Sequence, residues 1–231
     1  MQSDIDVLPS SIKEKYMKVT LGADIMYVNG IRFFITISRH IQFGTVARIK
    51  DAAKETLIDC IQQVQKCYSK RGFTIQTINM DSQFAPIKSD VEQGNANEEG
   101  PTKNLVTADE HEPHIERFIR TSKERIRSVQ CTLPFEKLPG KVTIELVYSC
   151  MFWWNSMNKF KGVSGTLSPR TIVTGMTLDY NKHCKLQFGK YVKTHEITNK
   201  LTKQERMFGA LALRLTGNTQ GGFKFYILKT G

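Results

Sequence analysis

The chain has 231 residues, enough for a core of about 150 residues and a small second module. Hydrophobic residues make up 40% and charged residues 24%, ordinary globular values with no apolar run long enough to span a bilayer as a helix, so no membrane role is expected. Net charge is +11 and unevenly spread: residues 1–116 hold 13 Lys/Arg against 16 Asp/Glu, and residues 117–231 hold 20 against 6. A half that basic suits a polyanion, either nucleic acid or an anionic membrane, although a merely soluble basic surface has the same balance. The opening residues, MQSDIDVLPSSIKEKY, lack a basic-then-apolar signal, so an intracellular chain is expected. The cysteines (Cys60, Cys67, Cys131, Cys150 and Cys184) are odd in number and form no CxxC pair, which argues for reduced structural thiols.

Residues 1–16 read as a linker. Val19, Leu21, Ala23, Ile25 and Tyr27 alternate with more polar or smaller neighbours, the period of a strand. Asn29-Gly30 is a two-residue hairpin turn, followed by a second strand through Ile31, Phe33, Ile35 and Ile37 and a third from Phe43 to Ile49. Asp51 caps an expected helix over residues 52–69, with Leu57, Ile61, Val64 and Tyr68 on one face and Gly72 ending it. Phe73 to Met80 reads as a strand, 91–103 as a surface loop, and Asn104 to Thr107 as a short strand. Helices are expected over 112–130 and 142–155, with Trp153 and Trp154 in packing roles rather than as a base-stacking platform. Three strands, helix, strand, short strand, helix and helix make an α/β arrangement on a mixed five-stranded sheet. Beyond it, Gln187 to His195, Met207 to Leu215 and Phe223 to Leu228 alternate with Gly-containing turns, as in a small β-barrel or sandwich. The chain thus divides into a linker (1–16), a core (17–160) and a basic C-terminal region with a β-barrel-like module (161–231).

Three carboxylates stand out. Phosphodiester chemistry at neutral pH is served by two Mg²⁺ ions roughly 4 Å apart, held by a few carboxylates converging from different elements. Asp24 interrupts an apolar strand, which is costly unless the group is paired or binds metal; a salt-bridged or edge-strand Asp reads equally. Asp81 directly follows a strand, where α/β sheets present ligands and where turn or cap residues also occur. Glu116 lies on the long helix beside a core face of Ile115, Ile119, Ser122, Ile126 and Val129. Glu116, Arg120, Lys123 and Arg127 fall within about 60° of arc, a carboxylate followed by cations on one stripe. An i,i+4 Glu–Arg pair on a solvated helix is the alternative there.

The order of these residues resembles the catalytic core of retroviral and retrotransposon integrases, an RNase H-like fold with Asp, Asp and Glu on three elements. Asp81 and Glu116 are separated by 34 residues, close to the family's spacing. Met80-Asp81-Ser82-Gln83-Phe84 resembles the family's stretch after the fourth strand, with Ser82-Gln83 where Gly is usual, and Ile115-Glu116-Arg117-Phe118-Ile119-Arg120 resembles the start of its catalytic helix. Ala23-Asp24-Ile25-Met26-Tyr27-Val28-Asn29-Gly30, Leu167-Ser168-Pro169-Arg170-Thr171-Ile172-Val173-Thr174-Gly175 and Thr216-Gly217-Asn218-Thr219-Gln220-Gly221-Gly222 look like copia-type polyprotein integrases. The resemblance implies Asp24, Asp81 and Glu116 as ligands of Mg²⁺, with Mn²⁺ as a substitute, in DNA 3′-end processing and strand transfer. It implies DNA contacts by Arg117, Arg120, Lys123 and Arg127, with double-stranded element and target DNA as partners. A homo-oligomer in the nucleus or a retroelement particle is expected, and the chain reads as a polyprotein fragment or a decayed copy. The family's His/Cys module is missing, and His111, His114, His183 and Cys184 do not restore its spacing, so no zinc is expected. Two rival readings are a catalytically silent, integrase-derived nucleic-acid-binding module and a stand-alone RNase H-like nuclease. Hydrolase and P-loop motifs are absent from the sequence.

Overall fold

The computed structural model describes residues 7–80, 84, 113–160, 162–195, 207–218 and 220–229. The chain divides into two compact units, one of residues 1–124 and 153–177, the other of residues 125–152 and 178–231.

In the first unit, β1 (Lys18–Val28), β2 (Ile31–Ser38), β3 (Gly44–Ile49) and β4 (Thr74–Met80) form one mixed sheet in the order β3-β2-β1-β4. Asn29 (φ 48°) and Gly30 (φ 76°) turn β1 into β2, the left-handed pair that a two-residue hairpin requires. β1 and β2 are antiparallel, and β1 and β4 are parallel. Four strands are described rather than the five expected; Asn104 to Thr107, the fifth candidate, lies outside the described residues.

A parallel pair needs a crossover, and α2 (Lys54–Ser69) supplies it between β3 and β4. Leu57, Ile61, Val64 and Tyr68 are all buried, as their spacing predicts. The helix begins two residues later than expected, and Asp51 accepts hydrogen bonds from the Ala53 N–H (3.1 Å) and the Thr56 hydroxyl (2.9 Å) just ahead of it. Tyr68 is fully buried, edge-on to Phe43 and Phe73, and its hydroxyl donates to the Phe43 carbonyl at 3.4 Å. Val19, Leu21 and Ala23 pack in the same core with Ile75, Ile78 and Met80.

Three short helices were not foreseen, two of them in the first unit. Residues 10–16, read as linker, form α1 (Ser10–Tyr16) and bury Ile12. Within the quoted Leu167–Gly175 segment, α5 (Pro169–Thr174) packs Ile172 and Val173 into the core of the first unit. Ser168 caps it by accepting from the Thr171 N–H at 3.2 Å, Pro169 opens it, and Gly175 (φ 76°) closes it in the left-handed region.

The long helices are α3 (Pro113–Cys131) and α4 (Gly140–Ser156). Near the end of α4, the Asn155 side-chain carbonyl accepts from the Gly44 N–H (2.8 Å) and its amide donates to the Gly44 C=O (2.7 Å). Trp154 donates its indole N–H to the Gln42 carbonyl at 3.1 Å, bracing a non-glycine residue held at φ 58°.

In the second unit, β5 (Tyr191–His195), β6 (Met207–Leu215) and β7 (Phe223–Ile227) form an antiparallel sheet in the order β5-β6-β7. Among the described residues this sheet is open, with β5 and β7 as edges. β5 starts four residues after the expected Gln187 because Gly189 turns the chain at φ 80°. Its N–H donates to the Ala212 carbonyl at 2.7 Å. The left-handed φ is what favours glycine there; a β-carbon would also meet the Leu133 Cδ2 at 2.2 Å, so that leucine would have to shift. The short helix α6 (Tyr180–His183) is tied to the 216–222 turn by His183, whose ring nitrogens lie 2.7 Å from the Asp179 carbonyl oxygen and 2.9 Å from that of Asn218. No helix among the described residues is long and apolar enough to cross a membrane.

The Asn155–Gly44 exchange is buried, so removing it leaves two backbone groups without a partner. Asn155→Ala should cost about 3 kcal/mol, read as a lower urea midpoint with unchanged slope. A midpoint unchanged from the parent would show that the exchange contributes nothing.

Candidate active site

Asp24 sits in β1, opposite Ile35 of β2 and between Ala23 and Ile25. Its side chain is half-buried, and its Oδ1 accepts from the Ile25 backbone N–H at 2.6 Å. On the other edge of β1, Ala23 pairs with Met80, the last residue of β4. The described part of β4 therefore ends one register position before the level of Asp24. Asp81 itself lies outside the described residues.

Glu116 stands in the first turn of α3 and is exposed. Ile115, Phe118, Ser122 and Ile126 bury the opposite side of the helix, with Ile119 and Val129 half-buried. The buried face is turned toward Phe118 relative to the expected stripe, because the Phe118 ring meets Trp154 edge-on at 4.9 Å. Arg117, Arg120, Lys123 and Arg127 are all exposed. Arg120 donates to Glu124 at 3.2 Å, not a close restraint: its side chain is 83% exposed, and such pairs are worth about 1 kcal/mol or less. The guanidinium head therefore remains available to exchange water for phosphate.

Trp154 has a packing role, as expected. Besides Phe118 and Gln42, it meets Lys159, whose ammonium lies 3.4 Å from the ring centroid and donates to the Trp154 carbonyl at 2.6 Å.

Among the described residues, no three His, Cys, Asp or Glu side chains gather as a metal cluster. The donors of the sequence trio are all carboxylate oxygens, the hard ligands that Mg²⁺ prefers. The half-buried setting of Asp24 in an apolar strand is a place where a bound cation would offset the cost of the charge.

Sequence reasoning passed over Glu145, the only acidic residue between Glu136 and Asp179. It lies on α4 with its side chain 17% exposed and is held by Arg214 of β6 (2.5 Å) and Lys224 of β7 (3.1 Å). The Arg214 guanidinium also sits 5.0 Å from the Tyr148 ring centroid. A lone carboxylate in an otherwise apolar helix was the available signal.

The thiols divide by environment. Burial pushes Cys150 up to about 11, against a smaller opposing pull from Arg125, and burial also raises Cys60 and Cys67. Cys131 and Cys184 are exposed.

No family model and no curated protein matches the chain. Among solved structures, the catalytic core domain of BIV integrase is similar, with a TM-score of 0.50 and 15% identity over 67% of this chain and 92% of that one. The HTLV-2 integrase catalytic core domain, in complex with magnesium and in a trimeric form, gives a TM-score of 0.48 and 14% identity over 67% of this chain and 95% of that one.

At pH 8, a thiol titrating near 11 is about one part in a thousand thiolate, the reactive form. A brief iodoacetamide pulse on native protein should label Cys131 and Cys184 first and Cys150 last, read by peptide mass spectrometry. Cys150 labelled as fast as Cys131 would contradict its placement.

The mixed sheet with its flanking helices is similar in fold to the catalytic core of a retroviral integrase, an RNase H-like architecture.

Proposed function

We propose that the chain is a retrotransposon-type integrase core of the copia kind, acting on double-stranded DNA in 3′-end processing and strand transfer. Asp24, Asp81 and Glu116 are the metal ligands in this reading. The observation that carries it is the parallel pairing of β1 with β4, in which Ala23 stands beside Met80. Asp24 follows Ala23 within β1, and in the sequence Asp81 follows Met80, the last residue of β4, on the neighbouring strand of a sheet similar to that of an integrase core. Glu116 adds a third carboxylate from the opening turn of a helix whose apolar side is anchored in the first unit by Ile115 and Phe118.

Mg²⁺ held by these carboxylates would neutralise charge at phosphorus and lower the pKa of a bound water or hydroxyl. The protein's part is to fix the carboxylates on rigid elements and to hold the duplex. Arg117, Arg120, Lys123 and Arg127 extend along the same exposed helix and serve as phosphate contacts, setting position without reading sequence. Their affinity comes from counterion release, which makes binding fall steeply with salt. The basic C-terminal region adds to this field. A second copy of the chain and a nuclear or particle location complete the proposal.

Two experiments test it. Asp24→Asn and Glu116→Gln should each lower Mg²⁺-dependent strand transfer on an oligonucleotide duplex by roughly a thousandfold or more, with duplex affinity retained. Strand transfer at the parent rate in either variant refutes the triad. Duplex binding without strand transfer by the unaltered chain would instead support the silent DNA-binding module. Separately, Arg120→Ala with Lys123→Ala should reduce the slope of log affinity against log salt by about 1.8, two contacts' worth. An unchanged slope would remove the stripe from the interface.

A further inference from the structure

Alternation along the strands of the second sheet sorts its side chains between two faces. Tyr191, Leu211 and Tyr226 form one row across β5, β6 and β7, and the pairs Lys193 with Gly209 and His195 with Met207 continue the same face along β5 and β6. The opposite face carries Ala210 and Ala212, both fully buried. At one end of the first face α4 provides cover: Lys224, two residues before Tyr226, reaches Glu145 at 3.1 Å. The other end is open to solvent. Tyr191 and Met207 are each 56% exposed, and Lys193 and His195 are exposed as well.

Gly209 shows how Tyr191 is seated. A β-carbon there would lie 2.7 Å from the Tyr191 hydroxyl oxygen and 3.0 Å from its ring Cε2, so the ring reaches across the sheet surface over the glycine. Gly209 is not among the glycines held at positive φ, and its backbone conformation is open to any residue. What a side chain at this position would displace is the ring. A glycine inside a strand weakens the strand and often marks a close approach. Here the approach is that of an aromatic ring laid on a rigid sheet while more than half of the residue stays in water.

Charge narrows the choice of occupant. The second unit carries 14 Lys/Arg against 5 Asp/Glu, while the first carries 19 against 17. Lys193, two residues after Tyr191 and on its face, brings that sign to the open end. An acidic protein surface would answer the charge alone. A nucleotide answers both features, with its base on the ring and its phosphate at the ammonium group. A duplex keeps its bases stacked on one another, so only an unpaired strand can use the ring.

We propose that the open end of this sheet binds an unpaired nucleic-acid strand, with a base stacked on Tyr191 and an adjoining phosphate at Lys193. It deepens the function proposed above by giving the second unit an unpaired strand as its ligand, and it rests on that reading only for DNA as the source of the strand.

The test measures binding of the full chain to fluorescein-labelled oligo-dT of about twelve nucleotides, to oligo-U of the same length and to a duplex, by fluorescence anisotropy. Tyr191→Ala should weaken oligo-dT binding about tenfold and leave duplex affinity within about twofold, because stacking on the ring is lost while phosphate contacts stay. Tyr191→Phe should retain binding, and Tyr191→Leu, which keeps apolar volume without a ring, should lose as much as alanine. Lys193→Ala should reduce the slope of log oligo-dT affinity against log salt by about 0.7, one single-strand phosphate contact. Parent-like oligo-dT affinity in Tyr191→Leu overturns the proposal, as does an unchanged slope in Lys193→Ala. So does the absence of oligo-dT binding by the unaltered chain, even if duplex binding and strand transfer are intact. If Tyr191→Ala leaves oligo-dT affinity unchanged but converts a dimer to a monomer in sedimentation velocity, the face joins two copies of the chain and the proposal falls. Equal dependence on Tyr191 for oligo-U sustains it for unpaired strands of either sugar, and dependence for oligo-dT alone sustains it for DNA. Tyr191-dependent oligo-dT binding in a chain with no strand transfer sustains this site while the integrase activity falls.

Discussion

The double pairing of β1 governs the rest of the first unit. Hydrogen bonds to β2 on one edge and β4 on the other leave the strand no freedom to slide. Slipping by one residue would carry Ala23 to the position of Asp24 and reverse every side chain between the two faces of the sheet. Burial of Val19, Leu21 and Ala23 opposes such a slip, at about 1.5–3 kcal/mol for each large apolar side chain that would be exposed. The apolar residues thus decide where the Asp24 carboxylate stands. The Oδ1 of Asp24 accepts from the Ile25 backbone N–H.

Legibility in the sequence followed the range of the interactions involved. The Asn29-Gly30 hairpin and the face of α2 are local patterns, and both could be read directly. Helix α5 also had local signals, a Ser-Pro start and a glycine end, yet six residues are too few for periodicity to show. The core face of α3 was shifted by Phe118, whose partner Trp154 is far along the chain and invisible to a helical wheel. Glu145 was missed for the same reason, since its partners Arg214 and Lys224 lie 69 and 79 residues away. Of the candidate site, the strand position of Asp24 and the exposure of the α3 cations were readable from alternation and helical phase. The nearness of β4 to β1 was not, because strand order is a property of the crossover rather than of either strand.

Charge follows the compact units rather than the halves of the sequence. Dividing at residue 116 sets an acidic half against a basic one, whereas by compact unit the first is nearly balanced and the second holds most of the surplus.

Asn155 has a consequence beyond anchoring a helix. Just ahead of β3, the Phe43 carbonyl turns inward to accept from the Ser38 N–H, so the alternation of the strand points both polar backbone groups of Gly44 outward. A side-chain amide fills the place where a neighbouring peptide group would dock. The outer margin of the sheet is thereby covered at Gly44, and Arg48, exposed farther along, adds a charge to that margin. A single asparagine thus occupies the edge position at which a foreign strand would otherwise pair.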